Sequence, residues 1–250
     1  MISIAEYQTK RAELKELVYA LLMAEKARIA ATLHLKRHPK HELVESWQEI
    51  TKVREDMLEV SIKEFVPEMP SADWLLSVKG IGPIMASYVL AFFDLEQPTC
   101  SNWWAYAGLS VETDESGLAR AVRRKKGQKT SFNPLVRTIA WRIGSQLRQA
   151  RGFYWKQYER WKAMERNRTD ENKPQSDSHV KTRALRKTIK LFLSHAHQKG
   201  REALGLPVRA PYIISYPNVH EKIAPPVVNA VFIPPVEDEK PARKKRRGGK

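Results

Sequence analysis

The chain has 250 residues, 42% of them apolar, which suits one domain of ordinary size with an extension, or two small ones, around a proper core. A net charge of +16 with a pI near 9.9 points to a polyanionic partner. One cysteine, Cys100, excludes a disulfide framework and a cysteine-based zinc site, and no apolar run approaches membrane-spanning length.

The first residues, MISIAEYQTKRAELKE, hold no signal-peptide core, so we expect a cytoplasmic, nucleoid-associated protein without a membrane partner. The charge is unevenly spread. Residues 1–70 hold 11 Lys/Arg against 12 Asp/Glu, whereas residues 71–168 hold 16 against 8. The positive excess therefore begins after residue 70.

Residues 4–37 read as one long helix. Ile4, Tyr7, Leu14, Leu17, Val18, Leu21, Leu22, Ile29 and Leu33 fall mostly at three- and four-residue spacings. His38-Pro39-Lys40 breaks it. A second helix is expected from about His41 to Phe65, with Leu43, Trp47, Ile50, Met57, Leu58, Ile62 and Phe65 on its apolar side. Charges of both signs fill its other positions, as on the outer faces of a coiled coil. Residues 1–68 thus read as an antiparallel helical hairpin. It is either an arm that joins protomers into a homo-oligomer or a stalk packed on its own domain. His34, His38 and His41 cluster near its turn and read as solvated side chains rather than metal ligands.

Pro67 and Pro70 mark a boundary. Residues 71–94 then read SADWLLSVKGIGPIMASYVLAFFD, two apolar helical segments joined by Gly-Ile-Gly-Pro. Ser71 suits the N-cap of the first segment and Pro83 the first turn of the second. Gly80 and Gly82 permit backbone angles that a side chain forbids and leave amides bare at a helix N-terminus, a setting for a phosphate oxygen. Lys79 adds a point charge. The pattern resembles a helix-hairpin-helix, which grips the nucleic-acid backbone without reading bases. A tight turn inside a helical domain is the plainer alternative.

Residues 95–109 read as a loop with a short helix, capped by Ser101 or Thr99 and closed by a left-handed Gly108. Trp103, Trp104 and Tyr106 are expected in the core, although one could face a ligand. Gly117 and Gly127 punctuate a loop or short irregular hairpin over 110–134. From Arg120 to Arg151 there are ten Lys/Arg and no Asp or Glu. A solvated helical face rarely lacks every acid over such a span, so Arg120, Arg123, Arg124, Lys125, Lys126, Lys129, Arg137 and Arg142 are candidate nucleic-acid contacts, with Lys79, Gly80 and Gly82.

Asn133-Pro134 is a strong helix start, and the helix should reach about Arg148 with Leu135, Ile139, Ile143 and Leu147 along one stripe. Residues 152–166 form another helix, whose Phe153, Tyr154, Trp155, Tyr158 and Trp161 read as core rather than a base-stacking platform. A polar, mobile connection follows to Ser178, which should cap a last helix ending near Gly200. Its apolar positions are Ala184, Leu185, Thr188, Leu191, Phe192 and Ala196, with basic residues on its other sides. His195 and His197, two apart, point to different faces. From Leu206 the chain holds eight prolines and ends EDEKPARKKRRGGK. Residues 212–215 and 227–233 are apolar enough to lie as extended arms, and Arg243 opens a solvated basic tail.

Several segments together resemble a known family. They are LLSVKGIGPIMASYVLAFF (75–93), WAYAGL (104–109), ESG (115–117) with the later Lys126-Gly127, RGFYW (151–155) and ALRKTIKLFL (184–193). They are similar to the C-terminal domain of the IS-one-ten group of insertion-sequence transposases, related to the Piv DNA invertases, over about residues 71–200. The resemblance implies a DNA-binding body of a recombination or mobile-element system. In that family a RuvC-like nuclease domain with an acidic tetrad precedes a coiled coil and this domain, and some members are directed by a structured RNA. Here only 70 residues precede the hairpin, and they read as two helices. The resemblance therefore implies no metal ligands or cofactor within this chain, with Mg only if a RuvC-like nuclease partner is present. Ser116 matches the family's serine region. As a nucleophile it would need cationic surroundings such as Arg120, Arg123, Arg124 and Lys126; otherwise it merely turns the chain. DNA glycosylases pair a similar hairpin with a catalytic Asp further on, but the matching stretch from Gln97 has none and Asp94 comes too early.

The expected fold is all-α. A helical-hairpin arm spans 1–68, a helix-hairpin-helix DNA-binding domain spans 71–204, and a Pro-rich extended tail with a basic terminus spans 205–250. The expected partner is DNA, held without catalysis by the isolated chain. A structured guide RNA is a second candidate partner. An active serine transposase aided by a RuvC-like partner, and a structural nucleoprotein or RNA-binding module, are the alternatives.

Overall fold

A serine cap opens the first helix. Ser3 Oγ accepts the Glu6 amide at 3.1 Å, and α1 runs unbroken over Ile4–Arg37. The computed structural model describes residues 2–39, 41–113, 119–122, 126–127, 129–167, 176–209 and 223–226. After the His38-Pro39 break, α2 (Glu42–Phe65) returns along α1, as the periodicity predicts. A short 3-10 turn over Val66–Glu68 leads to α3 (Ala72–Ser77) and α4 (Pro83–Phe92). Next come α5 (Cys100–Tyr106) and a two-stranded antiparallel hairpin, β1 (Val111–Thr113) with β2 (Ala119–Ala121). Helices α6 (Pro134–Gln149), α7 (Phe153–Arg166) and α8 (Asp177–Ala203) complete a mostly helical chain.

The first half of α1 is built into the body. Tyr7, Leu14, Val18 and Leu21 are buried in one core with α4. The Tyr7 hydroxyl accepts the Leu95 amide at 3.1 Å, and its burial pushes the phenol pKa up to about 12. Arg11 meets Asp94 at 3.5 Å beside it. The apolar residues of α2 do not share one face. Ile62 is buried and Leu58 and Phe65 are half-buried, whereas Leu43, Trp47, Ile50 and Met57 are exposed.

Helix caps show which sequence signals hold. Asn133 accepts the amides of Leu135 and Val136 at 3.0 and 3.2 Å, with Pro134 in the first turn. Gly108 is left-handed, with φ of +62°. Ser71 precedes α3, but in a left-handed conformation and without a side-chain cap, because α3 is only six residues long and enters from the 3-10 turn. Ser176 rather than Ser178 caps α8, accepting the His179 amide at 3.4 Å. That helix also passes Gly200, where Leu95 packs directly on the glycine.

Helix α8 is the spine of the second half. Ile189 packs on the bare Cα of Gly144 in α6, and Phe192 on Tyr154 of α7. His195 and His197 do point apart. His195 Nε2 donates to the Ile223 carbonyl at 2.8 Å, which leaves Nδ1 to accept the Tyr154 hydroxyl at 2.8 Å. His197 lies edge-on to Trp103 and reaches the Gln97 carbonyl at 2.9 Å. Residues 223–226 thereby rest on the body, and the Pro226 carbonyl accepts Trp74 Nε1 at 3.4 Å. The stretches 212–215 and 227–233 and the basic tail lie outside the described residues. Among the described residues no helix is long and apolar enough to cross a membrane, and no three His, Cys, Asp or Glu are grouped to hold a metal.

Candidate nucleic-acid interface

The two glycines of the hairpin turn have different reasons to be glycine. Gly80 has φ of +99°, and a Cβ there would lie 2.6 Å from Ala150 Cβ and 3.1 Å from the Gln146 carbonyl oxygen. Packing against the end of α6 therefore requires it. Gly82 has φ of −88° and ψ of 177°, open to any residue, and a Cβ there would meet nothing within 4 Å. It is the N-cap of α4 and supplies no side-chain cap, and because Pro83 lacks an N–H the first turn leaves the Ile84 and Met85 amides without an intrahelical partner. Among the described residues nothing requires glycine at this position. Lys79 is exposed beside it, its stem packed over Gly152.

Two surfaces flank the turn. On the arm side, an open groove of about 640 Å³ lies between α1, α2, α4 and α6, and Glu25, Glu55 and Glu59 line it. Arg137 and Arg142 line it too, Glu25 is paired with Arg142 and Glu55 with Arg28, so its charges are largely compensated within the protein. On the other side, Arg148, Arg151, Lys162 and Lys181 line an open groove of about 500 Å³ with Glu159, Trp155 and Tyr158. Lys162 pairs with Glu159 at 3.1 Å and Lys181 with Asp177 at 2.6 Å. Arg148 and Arg151 make no ion pair among the described residues. A strand reaching Gly82 thus meets cations by approaching from Lys79 and Arg151.

A second group of cations sits where α6 and α8 meet the β hairpin. Arg137 donates to the Val122 carbonyl at 2.9 Å, which ties α6 to the end of β2, and its guanidinium lies 4.7 Å from the Phe132 ring centre. Arg186 and Lys190 are one turn apart on α8 and share a face. Lys190 Nζ lies 4.1 Å from the Trp104 ring centre. All three are half-buried. Desolvation, then the neighbouring charges of Arg183 and Arg137, hold the Arg186 pKa below its usual value. Desolvation, then Arg186, brings Lys190 down to about 8. The carboxylate that partly offsets Arg186 is the buried Glu165, already held by Lys187 at 2.5 Å and Arg183 at 3.5 Å. Among the described residues Arg186 has no hydrogen-bond or ion-pair partner. A half-desolvated cation whose nearest carboxylate is shared with Lys187 and Arg183 is only partly compensated.

The expected contacts divide accordingly. Lys79, Lys126 and Lys129 are exposed, and Gly82 is open. Arg137 is engaged with the hairpin base. Arg142 is turned toward the arm, donating to Glu25 and, at 3.3 Å, to the Tyr88 hydroxyl. Ser116, Arg123, Arg124 and Lys125 lie outside the described residues, as does the side chain of Arg120. Sequence reasoning named neither Arg186 nor Lys190 as a contact. Their spacing of four was the available signal. Trp103 and Trp104 are buried, while Tyr106 is exposed with its hydroxyl accepting Asn133 Nδ2 at 3.1 Å. In α7, Tyr154 and Tyr158 are buried, and Trp155 lines the basic groove.

Comparison with known proteins finds no matching family model, no matching curated protein and no matching solved structure.

Proposed function

We propose that this protein binds the sugar–phosphate backbone of duplex DNA without reading bases. The half-buried Arg186, without a hydrogen-bond or ion-pair partner among the described residues and set beside Arg137 and Lys190, carries the reading, because a phosphate oxygen would complete the compensation that Glu165 only begins. The open Gly82 turn with Lys79, and the groove lined by Arg148 and Arg151, add cations at the C-terminal end of α6. Backbone contacts of this kind position a protein on the duplex and carry no sequence information. The resemblance to the transposase C-terminal domain supports a role in recombination or a mobile element, as the part that holds DNA.

Fluorescence anisotropy with labelled duplexes of unrelated sequence tests this over a salt series. The expected result is similar affinity for each sequence, with log K falling linearly against log salt by about 0.9 per phosphate contacted. A Lys79→Glu, Lys126→Glu double variant should lose binding. Wild-type affinity in that variant would sink the surface assignment, and clear preference for structured RNA would move the protein to the RNA-binding class.

A further inference from the structure

We propose that α2 joins two copies of this chain as a parallel, in-register, two-stranded coiled coil through its outer face. The observation is a second apolar seam on a helix whose inner face is already used. Thr51 and Ile62 of α2 are buried on the side that packs on α1. On the outer side, Leu43, Ile50 and Met57 recur every seven residues, 79, 67 and 66% exposed. Val53 and Val60 follow three residues after two of them, 58 and 52% exposed. This is the a/d pattern of a coiled coil, with Ser46 as the one polar member. From Leu43 to Val60 the seam is about 26 Å long. A seven-residue repeat fits another helix of the same repeat, not a flat surface.

Charge fixes the occupant and its direction. In this frame Glu49 is a g position and Arg54 an e position, and neither makes an ion pair among the described residues. In a parallel in-register pair, g meets the e position five residues on in the other helix. Glu49 of each copy then faces Arg54 of the other, so the pair forms twice. An antiparallel pair that layers the same apolar side chains sets Glu49 against Asp56, two like charges. Trp47, 42% exposed at the neighbouring e position, lies over the edge of the seam. The start of α1 is fixed to the body through Tyr7 and Arg11, so the outer face of α2 stays open while the arm remains docked.

Sedimentation equilibrium on the full chain should give a dimer. An Ile50→Glu, Val53→Glu variant should be monomeric with unchanged helical circular dichroism, because neither side chain contributes to the inner face. Glu49→Arg alone should weaken association, and adding Arg54→Glu should restore it. Direction is read by disulfide trapping. Leu43→Cys and Val60→Cys chains should each cross-link to themselves, and the native Cys100 is buried and does not interfere. A monomeric wild type, or a dimer that survives Ile50→Glu, Val53→Glu, would overturn the proposal. Cross-linking only in mixtures of the two cysteine variants would overturn the parallel arrangement.

Discussion

Replacing Gly80 by alanine should damage the fold, while the same change at Gly82 should not. A Cβ at Gly80 would stand 2.6 Å from Ala150 Cβ, where carbon atoms normally rest about 3.5–4.0 Å apart. The overlap is with a helix end, so the turn must move away from α6, at a cost of about 1–3 kcal/mol. The φ of +99° adds about 1–2 kcal/mol for any L side chain. Together these give a loss of about 2–5 kcal/mol, read as a lower urea midpoint by circular dichroism. At a thermal midpoint, each kcal/mol corresponds to about 2–4 °C for a chain of this size. Gly82→Ala meets no atom within 4 Å and should stay within about 0.5 kcal/mol of wild type. Its methyl stands in the open approach to the α4 amides, so its effect should appear as weaker DNA binding. Equal stability of the two variants would refute the packing of the turn against α6.

Burial holds the His195 imidazole at about 4, against about 6.5 when free. Between these values the unfolded chain binds a proton that the native chain excludes. Stability should therefore fall as pH drops from 6.5 toward 4, by about 3 kcal/mol from this group. His195→Gln should flatten that part of the pH profile, and an imidazole titrating near 6.5 by NMR would refute the neutral, doubly bonded ring. Arg142→Met removes the bonds to Glu25 and the Tyr88 hydroxyl. It should lower stability by about 1 kcal/mol and leave duplex affinity unchanged; a large loss of affinity would return Arg142 to the DNA surface.

Local chemistry made much of the fold legible. The long helices follow from apolar spacing and from the His38-Pro39 break, and Asn133-Pro134 marks the start of α6 to the residue. Where two signals lay within one turn, sequence chose wrongly. Ser176 and Ser178 both suit a cap, and the bond to the His179 amide decides for the first. The apolar residues of α2 were grouped as one side because two seams on one helix overlap in spacing. Only the packing of α1 separates buried Ile62 from exposed Ile50. The site depended most on tertiary structure. Arg142 read as a free cation because its partner Glu25 is 117 residues away. Arg186 and Lys190 read as ordinary helix decoration because their half-buried setting arises only once α8 lies against α6 and Trp104.

The charge without a partner can be tested by one paired measurement. An Arg186→Met, Lys190→Met variant removes both α8 cations while keeping their apolar stems. Unfolding stability and duplex affinity would be measured on the same preparations over a salt series. If these side chains await a phosphate, stability should hold or rise. Affinity should fall, and the slope of log K against log salt should become shallower by up to about 2. Wild-type affinity and slope, or a clear loss of stability, would show that these cations serve the fold and not DNA.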